Sequence, residues 1–286
     1  MACEGDSKAT ILARLDMKSS ERRALGLGEA AWLSMPSPDK QTPNEDALAL
    51  LEVDDERLVL AVADGLGGRA GGAEASEAAL AALADAIALR SDDATLQASI
   101  MAGFERGNEA VLALGIGAGT TLVAVEIDGH TARSYHVGDS LALIVGQRGR
   151  KKHETIGHSP VAYAVEAGML SQQEAMHHHQ RHIVSNIIGS PDMRIEVGPL
   201  VTLAQRDTVL LASDGLFDNL HTREIVEIIR HGPLGQNCAR LAELARKRMM
   251  NTETDQPSKP DDLTSILFRL RASKAKTASS RPSPSL

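Results

Sequence analysis

Leu58-Val59-Leu60-Ala61-Val62-Ala63-Asp64-Gly65 is an apolar run that ends abruptly in a carboxylate and a glycine, and Val209 to Gly215 (VLLASDG) repeats the arrangement. Each reads as a buried strand with an aspartate at its end, continuing into a helical or looped segment. A carboxylate in such a place is costly unless it is paired or bound to a metal. Two further acidic clusters also sit beside apolar runs: Asn44-Glu45-Asp46 before ALALLEV, and Asp261-Asp262 before LTSILF. Acidic groups at the ends of several strands form an all-oxygen donor set of the kind that holds hard divalent cations. Any single Asp-Gly is read as readily as a hairpin turn or a helix cap, so the functional reading rests on the set.

The composition narrows the class. A chain of 286 residues with 43% hydrophobic and 24% charged residues can bury a sizeable core. Its formal net charge of -8 argues against a nucleic-acid partner, which calls for a basic face, and an acidic chain that handles phosphate needs cations to offset its own field. Only Cys3 and Cys238 are present, too few for a disulfide framework or a zinc ribbon, which suits a reducing compartment. No apolar stretch reaches membrane-spanning length, and MACEGDSKAT lacks the order of a signal peptide, so no membrane partner is expected and the expected location is the cytoplasm.

Residues 1–23 read as an N-terminal arm or, at TILARL, an edge strand. Strands are expected at 47–53, 58–63, 120–127, 131–137, 141–145, 194–197, 208–212 and 263–270, with helices over 73–89, 94–114, 222–230 and 234–250. Strands and helices without regular βαβ alternation indicate an α+β layered fold. Residues 147–191 are polar and His-rich and read as an inserted loop-and-helix flap. Residues 272–286 (ASKAKTASSRPSPSL) are expected to be disordered.

Together PNEDA (43–47), VADGLGGRAGG (62–72), GAGTTLVAV (117–125), HVGDS (136–140), GHSPV (157–161) with a downstream QEA (173–175), SDGLFD (213–218) and DDLTSIL (261–267) resemble the metal-dependent serine/threonine phosphatases of type 2C, the PPM type, in bacterial style. The resemblance runs from about residue 30 to 270, and seven pieces in the family's order are specific where one is weak. It implies a phosphatase domain over 24–271 with a four-layer α-β-β-α sandwich, a central antiparallel β-sandwich flanked by helices. Carried over by position, Asp64 is the carboxylate bridging two core ions and the Gly65 carbonyl a further ligand to one of them. Asp214 and Asp261 complete the other ion's protein shell, and Glu45 and Asp46 hold ions directly or through water. Asp139 and Asp218 match the positions that bind a third, weaker ion together with Asp214. The catalytic set is then Asp46, Asp64, Asp214 and Asp261, with Mn²⁺ or Mg²⁺ as cofactor.

The chemistry agrees with that assignment. Two divalent ions sharing a carboxylate acidify a water between them and draw phosphoryl oxygens into line, and oxygen-only ligands favour Mg²⁺ or Mn²⁺ over zinc. The expected partners are phosphorylated proteins and a cognate serine/threonine kinase system, with the enzyme a monomer. A thiol phosphatase is disfavoured because Leu244 stands where an Arg six residues after Cys238 is required.

Departures from the pattern are specific. Gln41 replaces the Arg that commonly clamps the substrate phosphate, so Lys40 and Gln41 are the candidate substrate-binding residues, with Lys40 as a point charge that lacks the bidentate fork. Leu66 stands where eukaryotic members place a His and bacterial ones usually a Met. His136 replaces an Asn and Leu141 an Arg, and His136 is read as a hydrogen-bonded core residue. His178 and His182 have the i, i+4 spacing of a soft-metal grip, weighed against a solvated flap. The alternatives are a dinucleotide site at Gly65-Leu66-Gly67-Gly68-Arg69-Ala70, which leaves the other acidic motifs unexplained, and a pseudophosphatase, for which Gln41 speaks.

Overall fold

A computed structural model describes residues 8–38, 40–66, 71–91, 93–251 and 256–271. In chain order the strands and helices are β1 (Lys8–Ala13), β2 (Glu21–Leu25), β3 (Gly28–Met35), β4 (Asp46–Glu52), β5 (Arg57–Asp64), α1 (Gly72–Ala88), α2 (Leu96–Ala113), β6 (Leu122–Asp128), β7 (Thr131–Val137), β8 (Leu141–Val145) and β9 (Lys151–Glu154). There follow α3 (Pro160–Glu166), α4 (Gln172–Met176), β10 (Glu196–Val197), β11 (Val201–Thr202), β12 (Thr208–Ala212), α5 (Asp214–Phe217), α6 (Thr222–Ile229), α7 (Leu234–Met249) and β13 (Leu263–Leu270). One sheet runs β1-β4-β5-β6-β7-β10, with β11 also on β7, and the other β2-β3-β13-β12-β8-β9. Their pairings are antiparallel.

The period-two alternation of the strands sorts the apolar residues into three cores. Leu48, Leu50, Leu60 and Val62 pack between the sheets with Val209, Leu211, Ile266 and Phe268. Their sequence neighbours Ala47, Ala49, Ala61 and Ala63 point the other way, onto Ala79, Leu83, Ile100 and Phe104 of α1 and α2. On the far side Leu210, Ala212 and Leu267 pack with Ile225, Leu241 and Ala245 of α6 and α7. The result is an α-β-β-α sandwich. Small residues set the spacing of its outer layer: a Cβ on Gly103 would lie 2.8 Å from Leu83 Cδ1, so α2 approaches α1 only because glycine stands there.

Several expectations change in detail. TILARL, read as arm or edge strand, puts its first four residues in β1, the edge strand paired with β4. The expected domain boundary at residue 24 falls inside β2, which pairs with β3, so residues before 24 belong to the sandwich. β2 and β3 have no counterpart among the expected strands. β9 extends the second sheet into the segment expected as flap, so the insertion begins after Glu154 rather than at 147. No helix among the described residues is long and apolar enough to cross a membrane. Gly67 to Ala70 and the tail 272–286 lie outside the described residues.

Candidate metal centre

The same alternation delivers the acidic residues to one edge of the layer between the sheets. Even-numbered residues of β4 and β5 face that layer, so Asp46 and Asp64, the terminal even positions and register partners of each other, close it. By the same parity β12 and β13 bring Ser213, Thr264 and Asp262 there, and the layer turns from apolar to polar within one residue pair.

Asp46 is held by its backbone N–H donating to Asn44 Oδ1 (2.9 Å) and by Ser213 Oγ donating to its Oδ2 (2.8 Å), while its Oδ1 is buried without a hydrogen-bond partner. The Asp64 backbone is fixed by Thr121 Oγ1, which accepts its N–H at 3.1 Å, and by Thr120 Oγ1, which donates to its carbonyl at 2.8 Å. The Gly65 N–H donates to the Glu45 carbonyl at 3.2 Å. Lys40, expected at the substrate phosphate, instead directs its ammonium at Glu45 Oε2 (2.7 Å) and Asp262 Oδ2 (2.5 Å). Asp262 Oδ2 also accepts the Glu45 N–H at 2.7 Å. Glu45 is thus tied to a lysine and, through Ser76 Oγ donating to its carbonyl at 2.7 Å, to α1, and Gln41 follows Lys40 on the loop before β4.

Asp139 follows Gly138, whose φ of +103° turns the chain between β7 and β8. His158 clamps that turn: its Nδ1 accepts the Gly138 N–H at 3.0 Å, and its backbone N–H donates to the Gly138 carbonyl at 2.9 Å. His136 is a buried core residue, its Nε2–H donating to the Ile156 carbonyl (2.9 Å) and its ring stacked on His158 with centroids 4.5 Å apart. Asp214 opens α5 and Asp218 follows it. Both carboxylates, with Asp261, surround the ammonium of Lys259. Lys259 Nζ bonds Asp214 Oδ2 and lies 3.0 Å from Asp218 Oδ2 and 3.3 Å from Asp261 Oδ2. Asp214 Oδ1 is buried and unpartnered.

Burial, then mutual repulsion, shapes the titration of this cluster. The Asp64 carboxyl is pushed well above the usual range by burial and by the charges of Asp46, Asp214, Asp261 and Asp139. Asp46 rises through burial and Asp262, and Asp139 through burial, Asp214 and Asp218. Asp218 also rises through burial, and Asp261 is pushed up to about 7 by burial and Asp214. Such a cluster calls for cations. The orphaned oxygens of Asp46 and Asp214, with Asp64 and Asp261 beside them, form an all-oxygen donor set that fits Mn²⁺ or Mg²⁺ at the core positions. In the third set, Asp139, Asp214 and Asp218, the Asp218 Oδ2 is likewise buried without a hydrogen bond, but a lysine ammonium lies 3.0 Å from it and bonds Asp214 Oδ2, so this set has a cation of its own.

Two participants carry no role in the sequence reading. Asp262 enters it only as half of an acidic pair and Lys259 not at all, although a lone cation two residues ahead of Asp261-Asp262 in an acidic chain is a readable signal. The flap histidines lose their helical face, since α4 ends at Met176 and residues 177–182 are not helical. A groove of about 260 Å³ leads from Asp139, Asp214 and Asp218 toward α3 and α4, lined by Val161, Met176 and Phe217.

Residues 38–256 match the family model described as Protein phosphatase 2C. The serine/threonine protein phosphatase PstP of Mycobacterium tuberculosis is 32% identical over 198 residues, covering 65% of this chain and 37% of the relative. The serine/threonine phosphatase stp of Listeria innocua is 32% identical over 200 residues, covering 65% and 77%. The chain therefore spans little more than a third of the mycobacterial relative's length. Among solved structures, the M. tuberculosis phosphatase PstP/Ppp superposes with a TM-score of 0.70 at 26% identity, covering 88% of this chain and 99% of that one. The S. agalactiae serine/threonine phosphatase gives 0.71 at 27%, covering 88% and 100%.

Proposed function

The chain belongs to the protein phosphatase 2C family, and from that premise we propose that it hydrolyses phosphoserine and phosphothreonine esters in proteins with the help of Mn²⁺ or Mg²⁺. The observation that carries the reading is the convergence of Asp46, Asp64, Asp214 and Asp261, from four separate chain segments, on one edge of the sandwich with two buried carboxylate oxygens left unpartnered. Asp46, Asp64, Asp214 and Asp261 would hold the two core ions. When bound, these ions supply an acidified water as nucleophile and neutralise the substrate dianion. The protein's own part is positioning. Ser213 and Asn44 orient Asp46, the Thr120-Thr121 pair fixes the backbone of Asp64, and Lys40 with Asp262 ties Glu45 to the same edge. The groove toward α3 and α4 offers apolar side chains to the residues flanking a phosphorylated side chain.

We assign no third ion to Asp139, Asp214 and Asp218. We include in the reading a monomeric enzyme in the cytoplasm opposing a serine/threonine kinase; the low cysteine content supports the location, and the chemistry of the substrate supports the kinase. A binding module without turnover has no support among the relatives, which are named serine/threonine phosphatases. The test is hydrolysis of p-nitrophenyl phosphate and of a phosphothreonine peptide. Activity should require Mn²⁺ or Mg²⁺ and vanish in excess EDTA, and Asp64→Asn should lower turnover by several orders of magnitude, roughly the loss expected when charge stabilisation of the transition state is removed. Full activity in EDTA would exclude the reading.

A further inference from the structure

Lys259 is unusual in the site because it brings a cation into a cluster that otherwise consists of carboxylates. Its placement is built rather than incidental. The buried amide of Asn219 grips the Lys259 backbone from both sides, Oδ1 accepting the Lys259 N–H at 2.8 Å and Nδ2 donating to its carbonyl at 2.8 Å. The same Nδ2 donates to the Gly215 carbonyl at 2.9 Å, so the lysine is registered against the SDG turn that carries Asp214. Arg181 of the flap donates to the neighbouring Ser258 carbonyl at 2.6 Å. From this fixed base the side chain, 18% exposed, reaches Asp214 Oδ2, Asp218 Oδ2 and Asp261 Oδ2. Asp214 divides its two oxygens: Oδ2 meets the lysine, and Oδ1 is left unpartnered for the core ions.

We propose that Lys259 is a tethered cation that takes the place of a third metal ion, so that the enzyme works with two. This rests on the phosphatase reading for the two core ions. A divalent ion held by Asp139, Asp214 and Asp218 would have to share Asp214 and Asp218 with an ammonium that bonds Asp214 Oδ2 and lies 3.0 Å from Asp218 Oδ2, an oxygen with no hydrogen bond of its own, and two cations crowded onto the same carboxylates repel strongly in a poorly solvated site. The covalently attached ammonium needs no free ion in solution, because its local concentration is set by the chain. It also gives the metal-free protein partial neutralisation of Asp214 and Asp218.

The test counts ions and measures stability, on the full chain stripped with chelator. Calorimetric titration with Mn²⁺ should give two sites in the wild type and three in Lys259→Ala, the third at least tenfold weaker than the core pair. Metal-free at pH 8, Lys259→Ala should melt several degrees below wild type, and Lys259→Arg, which keeps the charge, should recover most of the loss. Three sites in the wild type, or two in both proteins, overturns the proposal. So does an unchanged metal-free Tm in Lys259→Ala. The wild-type count stands even if Lys259→Ala does not fold. Failure of the phosphatase reading looks different: the wild type would bind no Mn²⁺ and hydrolyse no phosphate ester, whatever the melting of the Lys259 variants.

Discussion

Lys40 and the two Asp-Gly glycines show how single residues shape the site. Lys40, read from sequence as a point charge for the substrate, compensates Glu45 and Asp262, and Asp262 has a side chain only 4% exposed. Lys40→Ala should therefore cost about 2 kcal/mol, the scale of leaving a buried charged group without its hydrogen bond. Asp262→Asn in the same chain should return much of it; urea midpoints of the two single variants and the double variant measure the coupling, and strict additivity would show that the pair does not interact. Gly65 and Gly215 have no positive φ and do not serve as flexible turns. They are glycines because backbone passes against them: a Cβ would lie 2.3 Å from the Gly72 carbonyl oxygen at Gly65 and 1.9 Å from the Asp262 carbonyl oxygen at Gly215. Gly215→Ala should destabilise by about 3 kcal/mol, the upper part of the overpacking range, and loosen Mn²⁺ binding by displacing Asp214 from Asp261. A variant with wild-type midpoint and Mn²⁺ affinity would refute that close approach.

At the scale of elements, β7 carries a titrating group into the protein. His136 is pushed down to about 4 from its ordinary 6.5 by burial and by His158, with Glu196 and His153 the other titratable groups facing it. A histidine depressed in the folded state contributes stability above its unfolded pKa and loses it as pH falls toward the folded value. Stability should thus drop between pH 6.5 and 4, by as much as about 3 kcal/mol from this group, since each tenfold change in an ionisation constant corresponds to about 1.4 kcal/mol. His136→Asn should flatten that part of the profile, and equal slopes for the two proteins in acid denaturation would contradict it. Elements are legible in sequence where their apolar pattern is continuous, as in β5, β6, β12 and α1. β2 and β3 are not, because Glu21, Arg22 and Arg23 leave β2 polar and exposed at a sheet edge, with pairing to β3 as its main support. The flap helices α3 and α4 owe their starts to Ser159 and Ser171 caps, and α3 ends where Gly168 takes a φ of +69°.

For the whole molecule, the carboxylate cluster couples metal binding to folding. Acidic groups crowded at one edge of the sandwich repel in the metal-free state, and ions bound only by the folded chain raise its stability by mass action. At Mn²⁺ a hundredfold above the dissociation constant of a core site the gain is about 2.7 kcal/mol per site. For a chain of 286 residues this corresponds to a rise in Tm over EDTA of about 4–5 °C for each site filled, roughly 9 °C for two. Calorimetry with and without Mn²⁺ checks it, and coincident melts would show that the cluster binds no ion. The chemistry is legible in the chain alone: which carboxylates end apolar runs, that oxygen donors suit hard cations, and that strands and helices form a layered α+β fold. These follow from local patterns, because burial and strand period are written residue by residue. Which charges meet is settled by the folded arrangement. Lys40 finds Asp262 across 222 positions and Lys259 finds Asp214 across 45. Such pairings depend on where strand ends converge, and the free energy of a charge in a crowded acidic edge depends on every neighbour at once rather than on its own place in the chain.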